Sequence, residues 1–257
     1  MQTHGQTLDF LPRAGALSRL DARAIESLAS LRWSRSDFGT GDAIEPKEGI
    51  SILSAGWAGH YRELPNRSRQ MVSLLLPGDV CDFAFLTGRV ARLPLTALSP
   101  VAVWTLSIET FLSAGHACHS VISAVLAAME TDHAIVEEHL ITIGSLSAIE
   151  RLSRWLLELQ FRLDPVNPTF DLPLSQARIG EYLCLSSVHV NRTFQALRRL
   201  QVIETRGKRL SIIEPERLAA IGSFSSAYLA PDDQAHSGRS HQAAVASSLG
   251  VLGSRQA

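Results

Sequence analysis

Leu174-Ser-Gln-Ala-Arg-Ile-Gly-Glu-Tyr-Leu-Cys-Leu-Ser-Ser-Val-His-Val-Asn-Arg-Thr-Phe-Gln-Ala-Leu-Arg-Arg-Leu200 reads as two short helices joined by a tight turn. Ser175 is placed to cap the first, its hydroxyl accepting from a first-turn amide, and Ile179, Tyr182 and Leu183 then share a face. Ser186 is placed to cap the second in the same way. From there Val190, Phe194, Leu197 and Leu200 recur at helical spacing, so the opposite face, with Ser187, Val188, His189, Asn191 and Arg192, is left to meet something else. An αα-hairpin in any helical domain also shows two caps and two apolar stripes. A connection this short, however, holds the helices at the steep angle of a DNA-reading pair.

The segment immediately after the helix pair supports that reading. Val202-Ile-Glu-Thr-Arg-Gly-Lys-Arg-Leu-Ser-Ile-Ile213 is a pair of β-branched runs around Arg206-Gly-Lys-Arg209, a hairpin with a basic tip. From Ser175 to Ile213 seven basic residues (Arg178, Arg192, Arg198, Arg199, Arg206, Lys208, Arg209) face two acidic ones (Glu181, Glu204), while the chain as a whole carries a formal charge of −1. A local excess of this sign on a short helix and a wing is the footprint of a phosphate binder.

The arrangement resembles the winged helix-turn-helix of the CRP/FNR family of bacterial transcription regulators, in particular members with a Val-His-Val-Asn-Arg-Thr run, here Val188 to Thr193. The resemblance implies double-stranded DNA with a two-fold symmetric site as ligand and RNA polymerase as a further partner. It implies base contacts from Ser187, Val188, His189, Asn191 and Arg192. Ser175, Arg198, Lys208 and Arg209 are assigned to phosphates, because they cap the first helix or lie further along the second and on the wing. Two positions depart from the family. Cys184 stands where a turn Gly is usual, and Arg178 stands where the first helix usually has an acid. Val188 replaces the Glu that many members set beside the reading Arg, so their half-site sequence does not carry over.

Upstream, residues 33–108 break into short β-favouring runs: Ile50-Ser-Ile-Leu53, Gly56-Trp-Ala-Gly-His-Tyr-Arg62, Gln70-Met-Val-Ser-Leu-Leu-Leu76, Leu95-Thr-Ala-Leu98 and Val101-Ala-Val-Trp-Thr-Leu106. Such spacing predicts an antiparallel sandwich or barrel. The turns at Gly41-Asp42, Ser54-Ala-Gly56 and Pro77-Gly-Asp79 resemble the cyclic-nucleotide-binding-like β-roll of the same family, and the whole resemblance covers about residues 8–230. A helix is expected to begin at Asp21, with Leu20 as a staple and Ile25, Leu28 and Leu31 on one side.

The family's nucleotide binders hold ribose with Gly-Glu-Leu and phosphate with Arg-Ser. Cys81-Asp-Phe-Ala-Phe-Leu86 and Ala91-Arg-Leu-Pro94 keep neither pattern, which leaves only Arg89 and Arg92 as phosphate candidates. No cysteine precedes Cys81, so the clustered thiolates of an iron–sulfur sensor are missing. No cofactor is expected. Haem remains compatible, since one axial His suffices and His60, His116 and His119 are present. The His116-Ala-Cys118-His119 cluster matches no common metal spacing.

Residues 109–143 read as one long helix. Ile122, Leu126, Met129, His133, Val136, Leu140 and Ile143 follow a 4-3 spacing, a heptad seam that pairs with a second copy. Val121, Val125, Ala128, Asp132, Ile135 and His139 form another stripe that faces the roll. Gly144-Ser-Leu-Ser147 interrupts the helix as a hinge, and Ser147 with Glu150 makes a capping box for the next one.

The expected fold is α+β: an antiparallel, jelly-roll-like β-roll (1–108), a long dimerisation helix (109–144), a winged helix-turn-helix (145–229) and a disordered, apolar-poor tail (230–257). With 46% hydrophobic residues, wide spacing of its three cysteines and neither an export signal nor a membrane segment, the chain is expected in the cytoplasm as a homodimer. An enzyme built on the roll would need a nucleophile with its base or a metal cluster, and no such set has a recognisable spacing. A ligand-independent regulator is the other alternative.

Overall fold

A computed structural model describes residues 22–45, 48–65, 68–89 and 93–229. Arg92, the start of the first helix at Asp21 with its staple Leu20, and the tail from residue 230 lie outside them.

The amino-terminal unit is a roll of two antiparallel sheets. β1 (Ser34–Phe38), β7 (Val101–Leu106) and β3 (Ile50–Ala55) form one, in the order β1-β7-β3; β2 (Ala43–Ile44), β6 (Leu95–Ala97), β4 (Ala58–Glu63) and β5 (Arg69–Leu75) form the other, in the order β2-β6-β4-β5. All five runs quoted from the sequence are strands. β3 is buried on both faces, and its alternation sorts side chains between two cores. Leu53 joins Ile44, Leu75, Leu95, Val101 and Val103 inside the roll. Ile50 and Ile52 point outward onto helices, where they meet Leu28 of α1 (Ala22–Ala29) together with Phe111, Val121 and Val125. The buried hydroxyls of Ser51 and Thr105 satisfy one another at 2.8 Å.

The single helix expected over 109–143 is two helices. The chain bends by 117° between α2 (Ile108–Ala117) and α3 (His119–Ser145), with Cys118 extended between them (φ −141°, ψ 103°). Glycine makes the fold-back possible. A Cβ on Gly115 would lie 2.5 Å from Ile122 Cδ1, so Ile122 packs where a side chain would otherwise be. The bend lets Phe111 of α2 and Val121, Val125 and Ala128 of α3 share the core beneath β3. Ile122 is thereby drawn off the outer seam into that core.

α4 (Ala148–Leu163) starts after an extended Leu146 (φ −101°, ψ 150°), and the Ser147–Glu150 capping box is present, Ser147 N donating to Glu150 Oε2 at 2.7 Å. Next comes a strand that the sequence does not announce: β8 (Thr169–Asp171) pairs with β10 (Arg209–Ile212), which also pairs with β9 (Ile203–Arg206). α5 (Gln176–Leu183), α6 (Ser187–Arg199) and α7 (Pro215–Gly222) complete the unit. One continuous apolar cluster runs from Trp57, Tyr61, Met71 and Leu74 of the roll through Leu152, Trp155 and Leu156 of α4 to Ile179, Tyr182 and Phe194. The carboxy-terminal unit is therefore docked on the roll. Among the described residues no single helix is long and apolar enough to cross a membrane; the bent pair α2 and α3 reaches that length and composition only together.

Candidate nucleic-acid interface

Both expected caps are formed. Ser175 Oγ accepts from Arg178 N at 3.3 Å, and Ser186 Oγ from His189 N at 3.2 Å. Between the helices Cys184 takes the left-handed conformation (φ 55°, ψ 46°) that the usual Gly adopts freely. At roughly 1 kcal/mol this is a tolerable strain in a packed turn. Gly180 sets the closeness of the turn: Leu185 N donates to its carbonyl at 3.0 Å, and a Cβ there would stand 2.3 Å from Leu185 O.

α6 buries Val190, Thr193, Phe194 and Leu197 against the module's core. The opposite face carries Ser187, Val188, His189 and Gln195 in the open, with Asn191 half-buried among them and Arg192 exposed beside it. Val188 is 58% exposed, an apolar side chain left open among the described residues. Gln176, Ser187, Val188, Asn191, Arg192 and Gln195 line one open hollow between the two helices. Three of these form a chain of amides that the sequence alone does not reveal. Asn191 Nδ2 donates to Gln176 Oε1 at 3.1 Å, and Gln195 Nε2 donates to Asn191 Oδ1 at 2.7 Å.

Of the residues assigned to phosphates, Ser175, Arg198, Lys208 and Arg209 are all exposed. Arg198 is steadied by Thr205 of the wing, to whose hydroxyl it donates at 3.1 Å. Lys208 sits at the wing tip beside Gly207, whose φ of 62° makes the tight reversal. Arg206 pairs with Glu204 at 3.1 Å on an exposed surface.

Arg178 belongs elsewhere. Its guanidinium pairs with Glu181 at 2.9 Å, donates to Tyr61 Oη of β4 at 3.3 Å and lies 5.5 Å from that ring's centre. Arg69 of β5 covers the same ring at 4.1 Å. The departure from the usual acid at this position thus serves docking of the first helix on the roll. Gln70 strengthens the contact, donating to Glu181 O at 2.7 Å.

A second tie lies along α4. Arg162 donates to Asp79 Oδ2 at 2.5 Å and to Leu74 O at 3.1 Å, both in the roll, and to Glu158 Oε1 at 3.1 Å; Glu158 Oε2 accepts from Tyr228 Oη at 2.9 Å. Burial alone would lower the Arg162 pKa, but Asp79 and Glu158 outweigh it and the guanidinium stays charged. A third tie is His139 of α3, stacked on Tyr182 of α5 at 4.1 Å. Burial holds its imidazole down to about 4, opposed by a hydrogen bond with the Tyr182 backbone and assisted by the Arg151 charge.

The α3 seam is divided. Leu126 (57%), Met129 (37%), Val136 (38%) and Leu140 (67%) are exposed, as is His133, while Ile122 and Ile143 are half-buried. On the stripe expected to face the roll, Val121, Val125, Ala128 and Ile135 are buried, whereas Asp132 is exposed and His139 turns instead to Tyr182 of the DNA module.

In the roll, the segment aligned with a ribose-binding turn is apolar apart from Asp82, which accepts from Ala84 N. Cys81 is fully buried, its thiol pushed up by burial, and Phe85 packs edge-on against Phe111 at 5.5 Å. Arg89 is exposed. His60 is engaged with Ser73 Oγ at 2.9 Å, while His116 and His119 are not buried. Among the described residues no three His, Cys, Asp or Glu side chains converge as a metal site.

A capped helix pair with an exposed polar reading face, a three-stranded wing and basic groups flanking both defines a winged helix-turn-helix DNA-binding module. The family described as "Crp-like helix-turn-helix domain" matches residues 150–221. The nitrogen fixation regulation protein FixK of Bradyrhizobium diazoefficiens is 28% identical over 215 residues, 80% of this chain and 89% of its own. The FixK of Rhizobium meliloti is 29% identical over 170 residues, 66% of this chain and 76% of its own. The solved structure of FixK2 from Bradyrhizobium japonicum shares the fold, with a TM-score of 0.66 at 24% identity over 74% of this chain and 98% of that one. Residues 150–221 thus form a Crp-like helix-turn-helix domain, and the chain is a DNA-binding transcription regulator similar to those of the CRP/FNR type.

Proposed function

We propose that this regulator acts as a cytoplasmic homodimer on two-fold symmetric DNA. Each subunit divides into a sensor roll (1–108), a dimerisation segment (109–144), a DNA module (145–229) and a tail (230–257). The carrying observation is the apolar row Leu126, Met129, Val136 and Leu140 on α3, exposed among the described residues, with His133 in its centre. Such a row is stable in water when a second copy covers it, and the half-buried Ile143 extends it toward the hinge. Ile122, folded onto Gly115, stands at its margin.

Each α6 supplies one reading head, Ser187, Val188, His189, Asn191 and Arg192 to base edges and Ser175, Arg198, Lys208 and Arg209 to phosphates. RNA polymerase is the further partner the family resemblance implies. Selection of bound duplexes from a random pool should return inverted repeats; recovery of single unrepeated sites would refute the dimeric reading.

The signal reaches the reading heads through the break at Leu146 and the ties between roll and module, and requires an effector that distinguishes two arrangements of them. Cyclic AMP and cyclic GMP do not fill that role, since Phe83 and Phe85 stand in the segment aligned with the ribose turn and the Arg-Ser pair that would hold the phosphate is missing from Ala91 to Pro94, and an unpaired phosphate in the roll is costly to desolvate. Calorimetry should detect no micromolar binding of either nucleotide; binding in that range would return attention to Arg89 and Arg92.

A further inference from the structure

We propose that Asn191 reads an adenine in each half-site and that Gln176 and Gln195 are positioning residues that hold its amide in the reading orientation. The inference rests on α6 being the reading helix. A side-chain amide has two N–H donors and two carbonyl lone pairs. In Asn191 one donor is given to Gln176 Oε1 and one lone pair accepts from Gln195 Nε2. One donor and one lone pair remain. That residual pair matches the adenine edge in the major groove, where N7 accepts and the N6 amino group donates.

The two neighbours also restrain which way the amide points. An Asn free to rotate by a half-turn exchanges its oxygen and nitrogen and offers a base the wrong complement as readily as the right one. Here a half-turn of Asn191 alone would set its oxygen against Gln176 oxygen and its nitrogen against Gln195 nitrogen, losing both bonds, so it can exchange only if Gln176 and Gln195 turn with it. The three amides are therefore coupled before DNA arrives, which lowers the ordering cost of the contact. Gln176 is the first residue of α5, beside the Ser175 cap, and its own amino group is left to donate to a backbone phosphate. The placement of the first helix on the duplex and the orientation of the reading amide on the second are thereby linked through one side chain. All three amides line the same hollow, next to Arg192.

The test is a set of titrations on the selected site and its single-base variants, at fixed salt. Asn191→Ala should lose about tenfold in preference for adenine at one base pair per half-site. Gln176→Ala and Gln195→Ala should each lose most of that preference at the same base pair, and adding either to Asn191→Ala should change the preference there no further. Gln176→Glu keeps an oxygen for Asn191 Nδ2, so it should retain the preference while weakening all sequences alike through repulsion by phosphate. A merely structural role for Gln176 would not make that split. The proposal is overturned if Gln176→Ala and Gln195→Ala leave the adenine preference intact, or if Asn191→Ala changes no base preference while Arg192→Ala does. In the second case α6 still reads DNA. Should no substitution on α6, Arg192→Ala included, alter preference at any base, the reading-helix assignment itself fails and this inference with it.

Discussion

At the scale of single residues, the reading face separates groups that specify from groups that attract. Arg192 stands one turn into α6, opposite the buried Val190 and Phe194, where a guanidinium can meet the two acceptors of a guanine. Arg192→Ala should cost about 1–3 kcal/mol at the preferred site and flatten discrimination at one base pair per half-site. Lys208→Ala, at the wing tip, should weaken all sequences alike and reduce the salt slope by about one. Titrations over several salt concentrations check both; an Arg192→Ala variant that loses affinity equally for every sequence would make Arg192 a phosphate contact. These residues were legible in the sequence because caps and helical periodicity are local signals. Arg178 was not legible, since its partners Tyr61 and Glu181 include one that is distant in the chain, and its charge alone suggested phosphate. The amide chain was equally hidden, because Gln176 and Asn191 are brought together only by the crossing of α5 and α6.

At the scale of elements, α3 has to serve two surfaces. Its Val121, Val125 and Ala128 are buried on the roll, whereas Leu126 to Leu140 is a separate, exposed stripe about a third of a turn away. Met129→Arg places like charges against each other at the centre of the proposed seam, so the variant, while still folded, should be monomeric by light scattering; a dimer as stable as the parent's would remove the seam from the interface. The two stripes were readable from heptad spacing. The break at Cys118 was not, because no Pro marks it and the decisive feature, Ile122 folding over Gly115, is a contact between two helices rather than a property of either. β8 escaped for a similar reason: Thr169-Phe-Asp171 is too short to signal a strand until β10 pairs with it.

At the scale of the whole molecule, the DNA module shares a core and two polar ties with the roll, and a third tie holds it on α3, where burial depresses the pKa of the His139 imidazole stacked on Tyr182. Its folded-state pKa of about 4 lies below the ordinary 6.5, so the unfolded chain binds the extra proton first. The contribution is fully present above about pH 6.5 and is lost as pH falls toward 4. Thermal unfolding at pH 7.5 and pH 5 should therefore show a larger loss for the parent than for His139→Phe, which keeps the stack without the proton; equal losses would show that His139 is not the group responsible. None of these ties was visible in the sequence, which carries the two units as separate patterns and says nothing of their docking. Recognition of a symmetric site requires two chains to present two reading heads to one duplex. Sedimentation equilibrium of the protein on its selected site, alongside a duplex carrying one half-site, measures this directly. Two chains per full site, with half-sites about one helical turn apart and much weaker binding to the single half-site, is the expected result. One chain per duplex, bound as tightly to the half-site as to the full site, would contradict it.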